Sequence, residues 1–418
     1  MLDIKLIREN PEEIKKAIAR KGSEPALIDD ALDLDKRRRD LTVKIEDLQS
    51  KLNKLSKDVV SLHGQQKIDI INEASTVSEK IKQLKPELDK TNIEYRNIMM
   101  ELPNPPAKEV IDGESDKDNT VNRKWGEPTK FDYKVQDNVE IGLNLDLIDT
   151  ERAGKVAGSR FYYLKREMVV LEMALFHYAL DTLMAEGFIP MIPPVMLNKA
   201  SMEGAGYLPQ GADEIYKTQD DLYLVGTAEQ PLAAYHSNEV LAEKELPLRY
   251  AGISTCFRRE AGSHGKDVRG ILRGHQFNKI EMFSFTKPED SAKEHDFLVS
   301  LEEKIMQGLE LPYQVVNICA GDLGAPASKK FDLEVWMPGE EAYRETHSCS
   351  NCTDFQARRL NIRYKTKAGK TEFVHTLNGT AFSERPLIAI LENYQEKDGS
   401  IRVPKVLQKY CGFDVIKR

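Results

Sequence analysis

Cysteine is scarce in this chain of 418 residues. The five present, Cys256, Cys319, Cys349, Cys352 and Cys411, are too few and too scattered for a disulfide framework. Reduced thiols and a cytoplasmic setting are expected. Positive charge is not in excess: 60 Lys and Arg stand against 68 Asp and Glu, a net charge of −8. Any nucleic-acid binding must therefore rest on local basic surfaces. No apolar run looks long enough to span a bilayer. The opening residues, MLDIKLIREN, carry acid early and lack a signal-peptide core. No Ser/His/Asp or Cys/His arrangement demands a covalent nucleophile. What remains is a soluble composition, 40% hydrophobic and 31% charged, with length for two or three domains and a sizeable core.

The first hundred residues are patterned as helix. Asn10 reads as an N-cap, with Pro11 at the first helical position and Glu12 and Glu13 in the first turn. Leu41, Ile45, Leu48, Leu52, Leu55, Val59 and Leu62 then recur at steps of four and three. His63-Gly64-Gln65-Gln66 interrupts. A second series runs Ile70, Ala74, Val77, Ile81, Leu84, Leu88, Thr91, Tyr95, Ile98 and Leu102. Each series is a coiled-coil seam, and the single break makes them an antiparallel hairpin reaching about 48 Å at about 1.5 Å per residue. Pro86 is expected to kink the return helix or mark a local break. Lys36, Arg37, Arg38, Arg39, Lys44, Lys51, Lys54 and Lys57 put cations along the outbound helix. Dimerisation and the binding of a large partner both fit such an arm.

Pro103-Asn104-Pro105-Pro106 ends the hairpin, so the domain boundary falls near residue 103, with 1–102 as arm and 103–418 as the second domain. A polar linker, a possible strand around 125–131, helical patterning over 138–152 and a turn into a strand at 155–164 lead to a long amphipathic helix over about 166–187. Short helix is also the reading for 146–149. Ile189 to Pro194 follows as a short strand interrupted by prolines.

The most informative stretch is 256–283, CFRREAGSHGKDVRGILRGHQFNKIEMF. It reads as two antiparallel strands joined by a loop containing Gly262, His264, Gly265, Lys266, Arg269 and Gly270. Alternation puts Phe277, Lys279 and Glu281 on one face and Asn278 and Ile280 on the other. The Arg258-Arg259-Glu260 run offers a guanidinium fork for a phosphate and a carboxylate that can accept from an amino group such as adenine N6. Upstream, Leu222 to Gly226 reads as a strand ending in Thr227-Ala228-Glu229. Thr227 and Glu229 can hold an ammonium or a small polar side chain, or simply cap a helix at Gln230-Pro231. Two further strands, 331–338 and 343–352, follow. Glu345 and Ser348 suit a hard cation with phosphate oxygens. Cys349, Cys352 and His347 offer a competing but incomplete zinc set. The chain closes with a strand from Phe373, a turn, and a helix with Arg385 near its N-terminus, a placement that favours phosphate.

Together these segments resemble motifs 1, 2 and 3 of class II aminoacyl-tRNA synthetases, in the form found in seryl-tRNA synthetases of bacterial type. The resemblance covers nearly the whole chain. It implies an α+β fold: an antiparallel β-sheet catalytic domain flanked by helices, with an N-terminal helical-hairpin, coiled-coil arm. It implies a homodimer through motif 1, about 180–197, with Pro194 as its proline. Motif 2 spans about 255–283 and motif 3 about 373–395. Arg258 and Arg385 are the implied catalytic groups. Thr227, Ala228, Glu229, Glu281, Asn378 and Thr380 are implied L-serine contacts. Arg258, Arg259, Glu260, Arg273, Phe277, Glu345, Thr346, His347, Ser348 and Arg385 are implied ATP contacts, and Glu345 and Ser348 the Mg²⁺ ligands. The arm is implied to bind tRNA(Ser), with tRNA(Sec) as a further acceptor. Two departures stand out. His347 replaces a usually small residue and is expected to crowd the magnesium or the ribose. Ser383-Glu384-Arg385-Pro386 is one residue shorter than the familiar motif 3 and puts a negative neighbour beside the arginine. Those departures leave two other readings: a synthetase-like binding or regulatory protein without chemistry, and an amino acid:carrier-protein ligase.

Overall fold

The computed structural model describes residues 1–261 and 270–418. The chain forms two compact units, Leu2–Ala19 with Ser23–Pro103, and Met1 and Arg20–Gly22 with Asn104–Arg418.

The first unit is helical. Helices α1 (Ile4–Glu9) and α2 (Pro11–Ala19) precede α3 (Ala26–Asp58) and α4 (Gly64–Glu101). Asp3 caps α1 by accepting from Lys5 N, and Glu12 and Glu13 favour the start of α2. The two long helices pack through the expected seam: Leu55, Val77 and Ile81 are buried, with Ile45, Leu48, Leu52, Ile70 and Ala74 packed against them. Ion pairs Arg37–Glu87 and Lys51–Glu73, at 2.8 and 2.6 Å, bridge the helices in antiparallel register. Two local expectations are corrected. The break is shorter, because α4 already begins at Gly64. Nor is there a local break at Pro86: the helix continues through it, and it is exposed, so the bond lost to its ring is lost on a face that water can reach.

Asp35 ties α1 to α3. Fully buried, it accepts from Arg8 Nε and Nη2 at 2.7 and 2.8 Å, and from Arg38 and Arg39 at 3.2 and 3.1 Å. Burial acts to raise its pKa, but the guanidinium hydrogen bonds outweigh that and hold it below 3.8. A depressed carboxylate stabilises the fold above its unfolded pKa and loses that contribution as pH falls through the folded value. The Asp35 share should therefore be intact at neutral pH and disappear below about pH 4. Asp35→Ala strands these cations and is expected to cost about 3 kcal/mol, read as a lower first thermal transition of the full chain. An unchanged transition would show that water compensates them.

The second unit is built on an eight-stranded sheet. Its strands are β1 (Thr120–Trp125), β2 (Ile189–Met191), β3 (Leu248–Phe257), β4 (Gln276–Thr286), β5 (Tyr313–Asn317), β6 (Lys329–Met337), β7 (Ala342–Asn351) and β8 (His375–Phe382). Their order is β1-β5-β6-β7-β8-β4-β3-β2, antiparallel throughout except for the β2–β3 pair. One face packs on helices α5 (Glu167–Ala185), α6 (Ser291–Gly308) and α7 (Arg385–Asn393), through Leu171, Leu175, Leu298, Ile305 and Leu387 against Ile280, Met282, Leu333 and Leu377. On the opposite face of β4, Phe283 and Phe285 join a second apolar cluster with Leu232, Tyr250 and Tyr364. Further along the same face, Phe277, Lys279 and Glu281 are polar or flank the cavity described below.

Several expectations shift. Residues 146–149 are not a helix: Ile148–Asp149 is a short strand, and Asp149 caps Thr150–Ala157 by accepting from Arg152 N. The strand expected at 125–131 lies earlier, at Thr120–Trp125. Helix α5 is long and apolar enough to cross a membrane by length and composition, contrary to the reading of the apolar runs. Its Met168, Leu171, Ala174, Leu175, Ala179 and Leu183 are buried in the core instead.

Candidate active site

Two neighbouring cavities open on the face of the sheet opposite α5 and α6. The first, about 310 Å³, is lined by Arg258, Glu260, Arg273, Phe277, Lys279, Lys330, Glu345, Thr346, Ser348, Thr380, Ser383, Glu384 and Arg385, among others. The second, about 360 Å³, has Tyr207, Thr227, Glu229, Ser350, Cys352 and Asn378 in its walls. Arg258, Lys279, Lys330 and Ser348 line both.

Strand irregularities create the first cavity. Glu345 and Ser348 are three residues apart, so a regular strand would point them to opposite faces. The β6–β7 register slips between Leu333 and Glu334, which pair with His347 and Glu345. Thr346 is the extra residue of a β-bulge, and it turns Glu345 and Ser348 to the same face. A second slip, between Thr380 and Phe382 on β8, does the same for Thr380 and Ser383. Glu260 sits at φ +51°, a sparsely occupied backbone region for a residue with a side chain. Arg273 Nη1 donates to its Oε2 at 2.8 Å. Arg258 lies over the Phe277 ring, 5.0 Å from its centre, and its Nε donates to the Gly226 carbonyl at 3.1 Å. Arg385 Nη1 donates to the Glu345 carbonyl at 2.7 Å and pairs with its Oε2 at 3.1 Å. Burial acts to raise the Glu345 pKa, but Arg385 and Lys330 outweigh it and hold the carboxyl well below its usual value. An ionised Glu345 beside the Ser348 hydroxyl is a donor set of hard oxygens. It fits Mg²⁺ that takes its remaining ligands from phosphate and water.

The second cavity is a hydrogen-bonded acid cluster. Thr227 Oγ1 donates to Glu281 Oε2 at 3.0 Å and also accepts from Glu229 N at 3.2 Å. Thr227 thus lines the pocket and also takes the first N–H of the short helix Glu229–Ala234, whose N-cap position is Ala228. Lys279 is ion-paired with Glu281. Glu229 is fixed by Tyr207 Oη at 2.7 Å and Gln356 Nε2 at 2.8 Å. Burial raises both carboxyls, Glu281 to about 7.

Four expected contacts lie outside both cavity walls. Glu281 is fully buried and meets the second cavity only through the hydrogen bond it accepts from Thr227 and its ion pair with Lys279. Arg259 is exposed, outside both linings, with its backbone N–H on the Glu214 carbonyl. Ala228 is buried without reaching either cavity wall. His347 does not crowd the cavity: the bulge turns it into the core, fully buried, with Nδ1 2.7 Å from Thr346 Oγ1. Burial lowers its pKa to about 3, so it is neutral. Gly262, His264, Gly265, Lys266 and Arg269 of the basic loop lie outside the described residues. Cys349 contacts the His295 carbonyl and Cys352 accepts from Asn378, two separate environments. Sequence reasoning placed Lys279 on the Phe277 face without giving it a role, and passed over Lys330. It also missed Tyr207 and Gln356, which arrive from distant segments without any local signal.

A helix-backed, largely antiparallel sheet, with arginines from the β3–β4 connection and from the start of α7 facing one cavity, defines a class II aminoacyl-tRNA synthetase core. Residues 214–394 match the tRNA synthetase class II core domain (G, H, P, S and T), and residues 1–106 match the seryl-tRNA synthetase N-terminal domain. The serine–tRNA ligase of Dictyoglomus turgidum is 46% identical over 100% of this chain and 99% of its own length. That of Nitrosopumilus maritimus is 42% identical over 99% of each. The crystal structure of seryl-tRNA synthetase from Pyrococcus horikoshii complexed with ATP is 42% identical, with a TM-score of 0.94 over 100% of this chain and 99% of that one. The cytoplasmic serine–tRNA ligase from Naegleria fowleri in complex with AMP is 37% identical, with a TM-score of 0.88 over 100% and 99%. The chain belongs to the seryl-tRNA synthetase family.

Proposed function

We propose that this chain is an ATP-dependent serine–tRNA ligase. The observation that carries the reading is that Arg258 lines both cavities, so a triphosphate in one and an amino acid in the other meet at its guanidinium. A serine carboxylate oxygen attacks the α-phosphorus of ATP. The bond to the β,γ-pyrophosphate breaks, and pyrophosphate leaves with the electron pair. Arg258 neutralises the charge that builds on the α-phosphoryl oxygens, and Arg385 holds the far end of the triphosphate. Phe277 offers a stacking face for adenine, and Glu260 an acceptor for its amino group. Glu345 and Ser348 would hold Mg²⁺, which supplies charge neutralisation to the phosphates when bound. The terminal ribose 3′ hydroxyl of tRNA then attacks the seryl carbonyl carbon and AMP leaves.

Thr227, Glu229 and Asn378 line the space for serine, with Glu281 bonded to Thr227 from the core and Thr380 on the wall of the first cavity. A site that hydrogen-bonds the substrate hydroxyl leaves buried polar atoms unpaired when alanine enters. Serine-dependent pyrophosphate exchange is the test. Alanine should run at least about 10³-fold lower in kcat/KM, and threonine should be excluded by the walls. Absence of exchange with serine, or alanine within tenfold of it, would overturn the assignment. The inactive-relative reading drew on His347 and Arg385. With His347 turned into the core and Arg385 at the cavity wall, neither supports it.

Partners follow from the same reading. The cations of the hairpin suit tRNA(Ser) phosphates, and tRNA(Sec) would be bound by the same surface. Val169, Val170 and Met173 of α5, with Met184, Ile189, Ile192 and Met196, are exposed apolar side chains that suit a homodimer interface through motif 1. All five cysteines are free and buried, which suits a reducing, cytoplasmic setting.

A further inference from the structure

The N-terminus of α7 is tied to the sheet by a side chain. The β8–β4 ladder ends where Phe382 pairs with Ile280. Asn278 lies beyond that pair, and its N–H is taken by Glu384 Oε1 at 3.0 Å. The other Glu384 oxygen meets the Tyr162 hydroxyl. That hydroxyl also lies 3.1 Å from the Gln276 carbonyl, which can only accept. A phenol has one proton. Given to Gln276, it leaves a lone pair facing Glu384. Every group is then satisfied when Glu384 is protonated, donating to Tyr162 through one oxygen and accepting from Asn278 through the other. Burial of this side chain, which is 5% exposed, pushes its carboxyl up to about 8, in line with a neutral acid at pH 7.

The placement matters because Asn278 follows Phe277 and Arg385 follows Glu384. One carboxyl therefore joins the backbone of one cavity wall to the first turn of the other. We propose that Glu384 is a positioning residue, a neutral carboxylic acid that sets the separation of Phe277 and Arg385 and thereby the affinity for ATP. The inference rests on the reading above that this cavity takes ATP. Ionised, Glu384 would place a like charge beside the triphosphate and draw Arg385 from its work. The link also accounts for how a motif one residue short still delivers its arginine: a side chain continues the pairing that the backbone gives up.

The test is ATP–pyrophosphate exchange with Glu384→Leu, Glu384→Gln and Tyr162→Phe, alongside thermal melts. Glu384→Leu should raise the KM for ATP about 10- to 100-fold, with the KM for serine within about threefold of the parent. Glu384→Gln, neutral and able to donate and accept at the same two points, should recover the KM for ATP to within about threefold. Tyr162→Phe should raise it about three- to tenfold. A normal ATP KM in Glu384→Leu overturns the proposal, as does a Gln variant as impaired as Leu. If Glu384→Leu fails to fold, the Gln and Phe variants decide by the same criteria. Lack of exchange in the parent enzyme would instead sink the ligase reading itself.

Discussion

Arg258→Ala lowers the kcat/KM of serine-dependent pyrophosphate exchange by about 10³-fold or more, while the melting temperature stays within a few degrees. Removing one preorganised donor to developing negative charge typically costs about 10²- to 10³-fold. Arg258 bears more than that, because it borders both cavities and packs on Phe277. Its Nε is held by the Gly226 carbonyl, which aims the remaining nitrogens and spares them a search for the right rotamer. Arg258→Lys should recover little, since an ammonium keeps the charge but not the fork. The loss should fall on kcat as well as on KM, because charge at the α-phosphoryl group grows on the way to the transition state. An Arg258→Ala enzyme that retains a tenth of parental activity would place the α-phosphate elsewhere, with Lys279 and Lys330 the remaining cations common to both cavities.

Truncating the hairpin lowers tRNA charging by about 10³-fold and leaves adenylate formation within about threefold of the parent, because phosphate contacts supply most of the affinity for nucleic acid. The cut can be placed from the register. Arg37 pairs with Glu87 and Lys51 with Glu73, so residues 42–82 can be replaced by a short glycine linker at one level of the hairpin. That cut spares Asp35 and its arginines, whose loss would damage the unit for an unrelated reason. It removes Lys44, Lys51, Lys54 and Lys57 along with the seam of Leu55, Val77 and Ile81. The parent should bind tRNA less tightly as salt rises, with a log–log slope of about −0.7 to −0.9 per phosphate contacted, and the truncated form should lose most of that slope. Equal loss of charging and adenylate formation would mean that the hairpin supports the fold. A flat salt response in the parent would remove the hairpin from tRNA binding.

Elements whose pattern repeats were the easiest to read from residues alone. The hairpin declared itself because a seam of apolar side chains at steps of four and three has no other economical use. The β4 strand declared its faces because alternation separates Phe277, Lys279 and Glu281 from Ile280 and Met282, and the second set lies in the helix-side core. At β7 the resemblance put His347 in the cavity, and nothing local reveals that Thr346 is an extra residue that turns His347 into the core. Arg259 was grouped with Arg258 by adjacency, although adjacent extended residues point apart.

Local chemistry thus determined which segments are helix or strand, which stripe each one buries, and which cations and carboxylates stand ready for phosphate and amine. Tertiary structure decided which of them meet. Two bulges rotated Glu345, Ser348 and Ser383 onto one face, Tyr207 and Gln356 arrived from far along the chain to fix Glu229, and the Glu384 carboxyl stood in where a ladder ended. The physical reason is that periodicity is a property of neighbours in sequence, whereas bulges and buried hydrogen bonds are settled by the partner across the gap.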